Sequence, residues 1–95
     1  GYNRLNQLYQ EVLGRNIDSS GESTYRGKIA SGQKTLRSVR YTVAKSQECT
    51  DKLNSLYWEI LGRGIDANGL ATYSDDLANG YTLGDVSWAL HQGEQ

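Results

Sequence analysis

The 95-residue chain contains one sequence pattern twice. Residues 5–32 align without a gap on residues 53–80, and 15 of the 28 aligned pairs are identical. The offset is 48 up to residue 80 and becomes 47 beyond it, because the second copy is one residue shorter there. Such duplication is typical of a helical unit that cannot bury its apolar face alone. The sequence therefore predicts a single domain over 1–95, made of one repeat over about 3–48 and another over about 49–95.

Each repeat reads as three helices. In the first repeat, apolar side chains at helical spacing predict a helix over residues 3–13, which Gly14 ends. Asp18 is a predicted N-cap for a second helix over 19–31, with Tyr25 and Ile29 facing inward, and Thr35 for a third over 36–45. Ser46 could cap one long helix that runs to residue 61 and joins the repeats. Strand signals are weak, so we expect an all-α compact bundle of five or six helices built from two tandem three-helix repeats.

Composition excludes several kinds of site. With one Cys and one His, the chain can form no internal disulfide, no cysteine zinc cluster and no site of several histidines. No apolar run reaches about 18 residues, so we expect no membrane insertion. Nucleophile-elbow, HExxH and phosphate-loop motifs are missing, so we expect no enzyme, no cofactor and no bound metal. The chain has no Met, which suggests an excised domain or a processed N-terminus.

Charge is divided unequally between the two copies. Residues 1–52 carry nine Lys and Arg against five Asp and Glu, and residues 53–95 carry one against six. The net charge of −1 argues against a nucleic-acid partner. The change extends to equivalent positions, where Arg26 corresponds to the neutral Ser74 and Lys28 to the acidic Asp76. This reversal favours a possible homo-oligomer formed by head-to-tail contact between a basic first repeat and an acidic second repeat.

Both copies carry the motif LYxEhLGRxhDxxGxxTY, in which h is apolar. This motif resembles a bacterial family of domains of unknown function that usually reads LY..LGRxPDxxGxxYW. The family is found in secreted RTX-type, S-layer and glycosyltransferase-associated proteins, and the motif is distantly similar to that of phycobilisome linker domains. Ile17 and Ile65 stand where the family usually has Pro, and Arg26 and Ser74 where it has Trp. The resemblance implies a non-catalytic helical module in an extracellular or cell-surface location.

The polar motif residues favour a structural role. Arg15 lies three residues before Asp18, as Arg63 does before Asp66, so that each pair could clamp the turn between two helices by charge-assisted hydrogen bonds. A ligand carboxylate is the functional alternative for the arginines. Short calcium loops also begin with Asp, but the spacing of Gly and the missing later acids depart from the EF-hand pattern.

Exposed aromatic residues carry the functional prediction. Tyr41, Trp58 and Trp88 point away from the apolar stripes of their helices, where they could stack on sugar rings or contact another part of the fold or a neighbouring chain. The basic residues near Tyr41 that could contact polar or anionic groups are Arg37, Arg40 and Lys45. Cys49 lies on an apolar stripe and is expected to be buried and inert.

The first functional hypothesis is therefore a non-catalytic, lectin-like module whose partner is a glycan or cell-surface polysaccharide. The alternative is a structural or assembly module that self-associates through its two oppositely charged repeats.

Overall fold

The computed structural model describes residues 2–93, which form six α-helices and no strand. The all-α prediction is confirmed. The helices are α1 (Tyr2–Leu13), α2 (Ser19–Ala30), α3 (Leu36–Ala44), α4 (Gln47–Leu61), α5 (Ala67–Ala78) and α6 (Leu83–His91). Among residues 2–93, no helix combines the length and the apolar character needed to span a bilayer.

Local signals place the helix ends where the sequence predicts them. Asp18 caps α2 by accepting a hydrogen bond from the Gly21 amide at 2.8 Å, and Asp66 caps α5 through the Gly69 amide at 2.7 Å. Gly62 follows α4 with a φ of +71°, a left-handed conformation that favours glycine at a helix C-terminus.

The N-terminal caps of the shorter helices follow the same rule. Thr35 caps α3 and Thr82 caps α6, each within a capping box. Ser46 caps α4, so the long helix that joins the two repeats is present as predicted.

Asparagine side chains fix the loop that follows the first helix of each repeat. Asn6 accepts a hydrogen bond from the Ile17 amide at 2.8 Å, and Asn54 accepts one from the Ile65 amide at 2.9 Å. Each bond spans eleven residues and satisfies a backbone donor that no helix satisfies. The loop between helices is therefore built in the same way twice.

One apolar core runs through both repeats. Its largest fully buried side chains are Tyr57, Leu5, Leu53, Leu77, Leu90, Val12, Val39, Val86 and Cys49. Within a repeat the first helix packs on the third, so α1 lies on α3 and α4 on α6. Between repeats the most extensive packing is that of α3 on α5. The Cα atoms span 43 × 20 × 19 Å, so this packing produces an elongated body.

Helix α2 differs from its counterpart α5. None of its residues is fully buried, whereas five residues of α5 are. Tyr25 and Ile29 pack against the core as predicted, but both remain half-buried. The physical reason is that α2 packs mainly on α1, while α5 is enclosed by both α4 and α3.

Candidate functional site

The predicted aromatic residues lie on the surface. Trp88 is 65% exposed, and Tyr41 and Trp58 are each 58% exposed. Tyr81, in the loop before α6, is exposed to a similar degree. These four side chains occupy three different helices and one loop.

Trp88 lines a cleft of about 330 Å³ between α6, the C-terminal half of α5 and the loop that joins them. The other residues that line it are Tyr73, Asp76, Tyr81, Asp85, Val86 and Ala89. The cleft therefore combines two exposed aromatic rings with two carboxylates and has no Lys or Arg in its lining.

Backbone and capping bonds hold the cleft residues in place. The Tyr81 amide donates to the Asp76 carbonyl at 3.0 Å, which keeps the loop against the end of α5. The Asp85 carboxylate accepts from the Thr82 amide at 2.9 Å, while the Asp85 amide donates to the Thr82 hydroxyl at 3.1 Å. Only one oxygen of the Asp85 carboxylate has a hydrogen bond there, so its second oxygen can accept another.

The floor of the cleft is continuous with the core. Tyr73 is only 5% exposed, and its ring meets the Tyr57 ring edge to face with centroids 6.3 Å apart. Val86 is buried as well. A cleft built on fixed core side chains loses little conformational entropy when a ligand binds.

Trp58 lies on a separate surface of α4. A Cβ atom at Gly64 would lie 3.4 Å from the indole Nε1 of Trp58, so the ring packs beside the Gly64 backbone. The first repeat has Gln10 and Asn16 at these two positions, joined by a hydrogen bond of 2.7 Å. Trp58 is not part of the lining of the Trp88 cleft.

Two of the predicted basic residues connect the repeats. Arg40 donates from Nε to the Leu77 carbonyl and from Nη2 to the Tyr81 carbonyl, both at 2.7 Å, and it pairs with Glu11 at 2.7 Å. Lys45 donates to the Ser74 hydroxyl at 2.9 Å.

Lys45 has two further contacts. It forms an ion pair with Asp75, and its ammonium group lies 5.7 Å from the Tyr41 ring centroid. Both Arg40 and Lys45 are thus engaged inside the chain, where they join α3 to α5.

Arg37 is exposed on the rim of a second, larger cleft of about 550 Å³. Arg4, Gln7 and Glu11 of α1 form one side of this cleft, and residues 78–80 close its end. Arg37 and Trp88 line different clefts. The structure therefore does not bring the six predicted ligand-binding residues into one site.

The two motif arginines, Arg15 and Arg63, contact other parts of the fold, and Arg15 has a different partner from the one predicted. Arg15 pairs with Glu48 through two hydrogen bonds of 2.6 and 2.9 Å, and no hydrogen bond joins it to Asp18. Its guanidinium carbon lies 5.3 Å from the Tyr9 ring centroid, and that of Arg63 lies 5.5 Å from the Tyr57 ring centroid. The predicted clamp with the capping Asp is thus replaced by a pair that ties the end of α1 to the start of α4.

Cys49 is buried in the core, and His91 is the last residue of α6. Burial raises the pKa of the Cys49 thiol to about 11, and its Sγ lies 3.7 Å from the Val12 carbonyl oxygen. His91 is exposed, with Nδ1 2.8 Å from the Ser87 carbonyl oxygen. Within residues 2–93, His, Cys, Asp and Glu side chains form no group of three that could hold a metal ion.

The chain belongs to the family described as "Domain of unknown function (DUF4214)", whose family model matches residues 4–53. The matched segment covers the first repeat and the start of the second. No curated protein and no solved structure gives a significant match to the chain.

Sequence reasoning missed Asp76, Tyr81 and Asp85 as members of the Trp88 cleft. The sequence contained part of the information needed to find this cleft. Tyr81, Asp85 and Trp88 are spaced as i, i+4 and i+7, which places them on one face of α6 and of the residues just before it. Asp76 gave no such signal, since it reaches the cleft only because the loop turns back against the end of α5.

Proposed function

We propose that this domain is a non-catalytic carbohydrate-binding module and that the Trp88 cleft is its binding site. The observation that carries the proposal is the combination of exposed Trp88 and Tyr81 rings with the Asp76 and Asp85 carboxylates in one cleft on a fixed floor. Aromatic faces provide apolar contact for the C–H faces of sugar rings, and carboxylate oxygens accept hydrogen bonds from sugar hydroxyls.

The ligand class follows from the charge of the lining. The lining contains two carboxylates and no Lys or Arg, which disfavours an anionic sugar, so the proposed ligand is a neutral polysaccharide. Binding should then change little with salt, because no ion pair with the ligand has to be screened. The resemblance to domains of secreted RTX-type and S-layer proteins supports an extracellular or cell-surface setting for this binding.

The test is a glycan array on the intact chain, followed by titration calorimetry with the sugar that binds. Trp88→Ala should weaken binding by about tenfold or more, because an exposed ring at the centre of a site contributes on the order of 2 kcal/mol. Trp58→Ala is the matched control, since it removes a comparably exposed indole from a surface outside the cleft.

Asp76→Asn tests the polar half of the site. The amide keeps the shape of the side chain but replaces one hydrogen-bond acceptor with a donor, so the affinity should fall several-fold. Equal affinities of Trp88→Ala and Trp58→Ala would place the site elsewhere, and an array without selective binding would contradict the proposed function.

A further inference from the structure

The α3–α5 junction joins the two repeats through a defined set of residues. On α5, Ser74, Leu77 and Ala78 are buried. On α3, Ala44 is buried, and Arg40 donates to the Leu77 carbonyl near the end of α5 and to the Tyr81 carbonyl in the loop that follows it. In this junction the third helix of the first repeat packs against the second helix of the second repeat.

Because the chain repeats itself, each surface of the α3–α5 junction has a counterpart elsewhere in the molecule. These counterparts, on α6 and α2, do not pack substantially on each other among the described residues. Helix α2 is the counterpart of α5, and at the matching positions Arg26 and Ala30 are exposed and Ile29 is half-buried. Helix α6 is the counterpart of α3, and His91, which matches buried Ala44, is exposed. Exposed residues of α2 and the exposed His91 of α6 thus match residues that the junction in the middle of the chain engages, while Ser87 of α6 is half-buried.

The two counterpart surfaces do not meet within one molecule. Helix α2 packs mainly on α1, and substantial packing between α2 and α6 is not found among the described residues. Helix α6 packs on α4 and also touches α1 of its own molecule, and the Cα atoms extend 43 Å along the long axis. A contact between unlike surfaces that does not close on itself can continue from one molecule to the next.

We propose that α6 of one molecule docks on α2 of a second copy of this chain and so continues the packing seen between the repeats. Continuity with the α3–α5 junction is the main argument. The charges act in the same direction, because α2 has one more basic than acidic residue and α6 has Asp85 but no Lys or Arg. Opposite charges steer the two ends together and raise the association rate at low salt.

This contact goes beyond the proposed carbohydrate site and does not cover it. Tyr41 is the counterpart of Trp88 on α3, and it remains 58% exposed although α5 is packed against that helix. Trp88 should therefore remain accessible when a second copy docks on α6.

Helix α6 differs from α3 at the residue that forms most hydrogen bonds in the internal junction, and this difference shows how the docking can be strengthened. In α6, Ser87 stands at the position that corresponds to Arg40 of α3. Glu11, which pairs with Arg40, corresponds to another glutamate, Glu59, in the second repeat. The wild-type contact therefore lacks the charged hydrogen bonds to the end of the receiving helix that hold the internal junction together.

The first variant tests whether α2 is the receiving surface. Ala30 is exposed in the single molecule, so Ala30→Glu should leave the fold intact but place a bulky acid where the α5 counterpart Ala78 is buried. Ser23→Glu is the matched control on the same helix, because its counterpart Ala71 stays exposed when α3 packs on α5. Sedimentation velocity over a concentration series should show weaker self-association of Ala30→Glu than of Ser23→Glu.

The second variant adds what the α6 surface lacks. Ser87→Arg should tighten self-association by about tenfold and produce species larger than a dimer as concentration rises, since the new guanidinium can reach Glu59 and the carbonyls at the end of α2 in the next copy. Ser23→Arg adds the same side chain outside the contact and should behave as wild type.

The proposal is overturned if Ser87→Arg associates no more than Ser23→Arg, or if a closed dimer forms that Ala30→Glu leaves unchanged. Circular dichroism shows that each variant is folded. Glycan binding is measured separately on the Trp88 and Trp58 variants, so that failure of the docking proposal and failure of the carbohydrate proposal are distinguishable.

Discussion

At the residue scale, Gly69 is required by a close approach between two helices. Tyr57 is fully buried, and its hydroxyl has no hydrogen-bond partner among the described residues. A Cβ atom at position 69 would overlap this hydroxyl. At the equivalent Gly21, a Cβ atom would lie 3.3 Å from the Tyr9 hydroxyl, which is tight contact without overlap. The second repeat is therefore the more closely packed of the two at this point.

Gly69→Ala should lower the free energy of unfolding by about 1–3 kcal/mol, because the added methyl displaces a ring fixed by the core. Tyr57→Phe removes the unpaired hydroxyl and should itself be nearly neutral. In that background Gly69→Ala should cost less, although the ring Cζ at 3.1 Å and the Asp66 Oδ1 at 3.0 Å remain close to the new methyl. The measurement is urea unfolding of the two single variants and the double variant.

Gly27→Ala is the matched control for this cycle. A Cβ atom at Gly27 in α2 has no neighbour within 4 Å, so the substitution should stabilise the helix by about 0.5–1 kcal/mol. Equal effects at Gly69 and Gly27 would show that the approach to Tyr57 is not close in solution.

At the scale of the element, the position of α4 depends on contacts at its first turn. Ser46 caps the helix, and Glu48 receives two hydrogen bonds from Arg15, which follows α1. The Arg15 hydrogen bonds hold the pKa of the Glu48 carboxyl below its ordinary value. Helix α4 is therefore tied to the first repeat at one end while its remaining length packs in the second.

This pKa shift predicts how stability depends on acid. A carboxyl whose pKa is lower in the folded state contributes stability above its unfolded pKa of about 4.3, and loses it as pH falls through the folded value. The contribution should be at most about 1 kcal/mol, since both side chains are more than one third exposed. The measurement is the free energy of unfolding at neutral pH and at pH values below about 4. Its decrease on acidification should be smaller for Glu48→Gln than for wild type.

Arg15→Gln serves as the comparison, because it removes the other partner and should flatten the same part of the pH profile. A Glu48→Gln profile parallel to that of wild type would assign the acid sensitivity to other carboxylates.

At the scale of the whole molecule, part of the charge complementarity between the repeats is satisfied inside the chain. Lys45 of the basic repeat pairs with Asp75 of the acidic one, and Arg40 binds carbonyls of the second repeat. Reversing the charge of Asp75 therefore acts first on the junction between the repeats, and a test of assembly has to use other positions.

Asp75→Lys should lower the unfolding free energy by about 0.5–1 kcal/mol, because it replaces an attraction that is partly screened by solvent with a repulsion. For a domain of this size that corresponds to a fall of a few degrees in Tm, followed by circular dichroism. The exchanged pair Lys45→Asp with Asp75→Lys should recover most of the loss. Asp51→Lys, an exposed charge reversal on α4, is the control and should change Tm less.

The amino-acid sequence by itself determined the helices, their caps and the duplication. Asp18, Ser46 and Asp66 act on amides only three residues away, so their effect is encoded locally and could be predicted. The exposure of Trp88 also followed from local periodicity, because one stripe of a helix faces the core.

Only the tertiary structure decided which side chains share a site. Arg40 was expected at a ligand surface, but its partners Leu77 and Tyr81 lie 37 and 41 residues further along the chain. Asp76 joins Trp88 in one cleft because the loop between α5 and α6 turns back on itself. Periodicity specifies the face of a helix on which a residue lies, but the element opposite that face depends on how the two repeats pack.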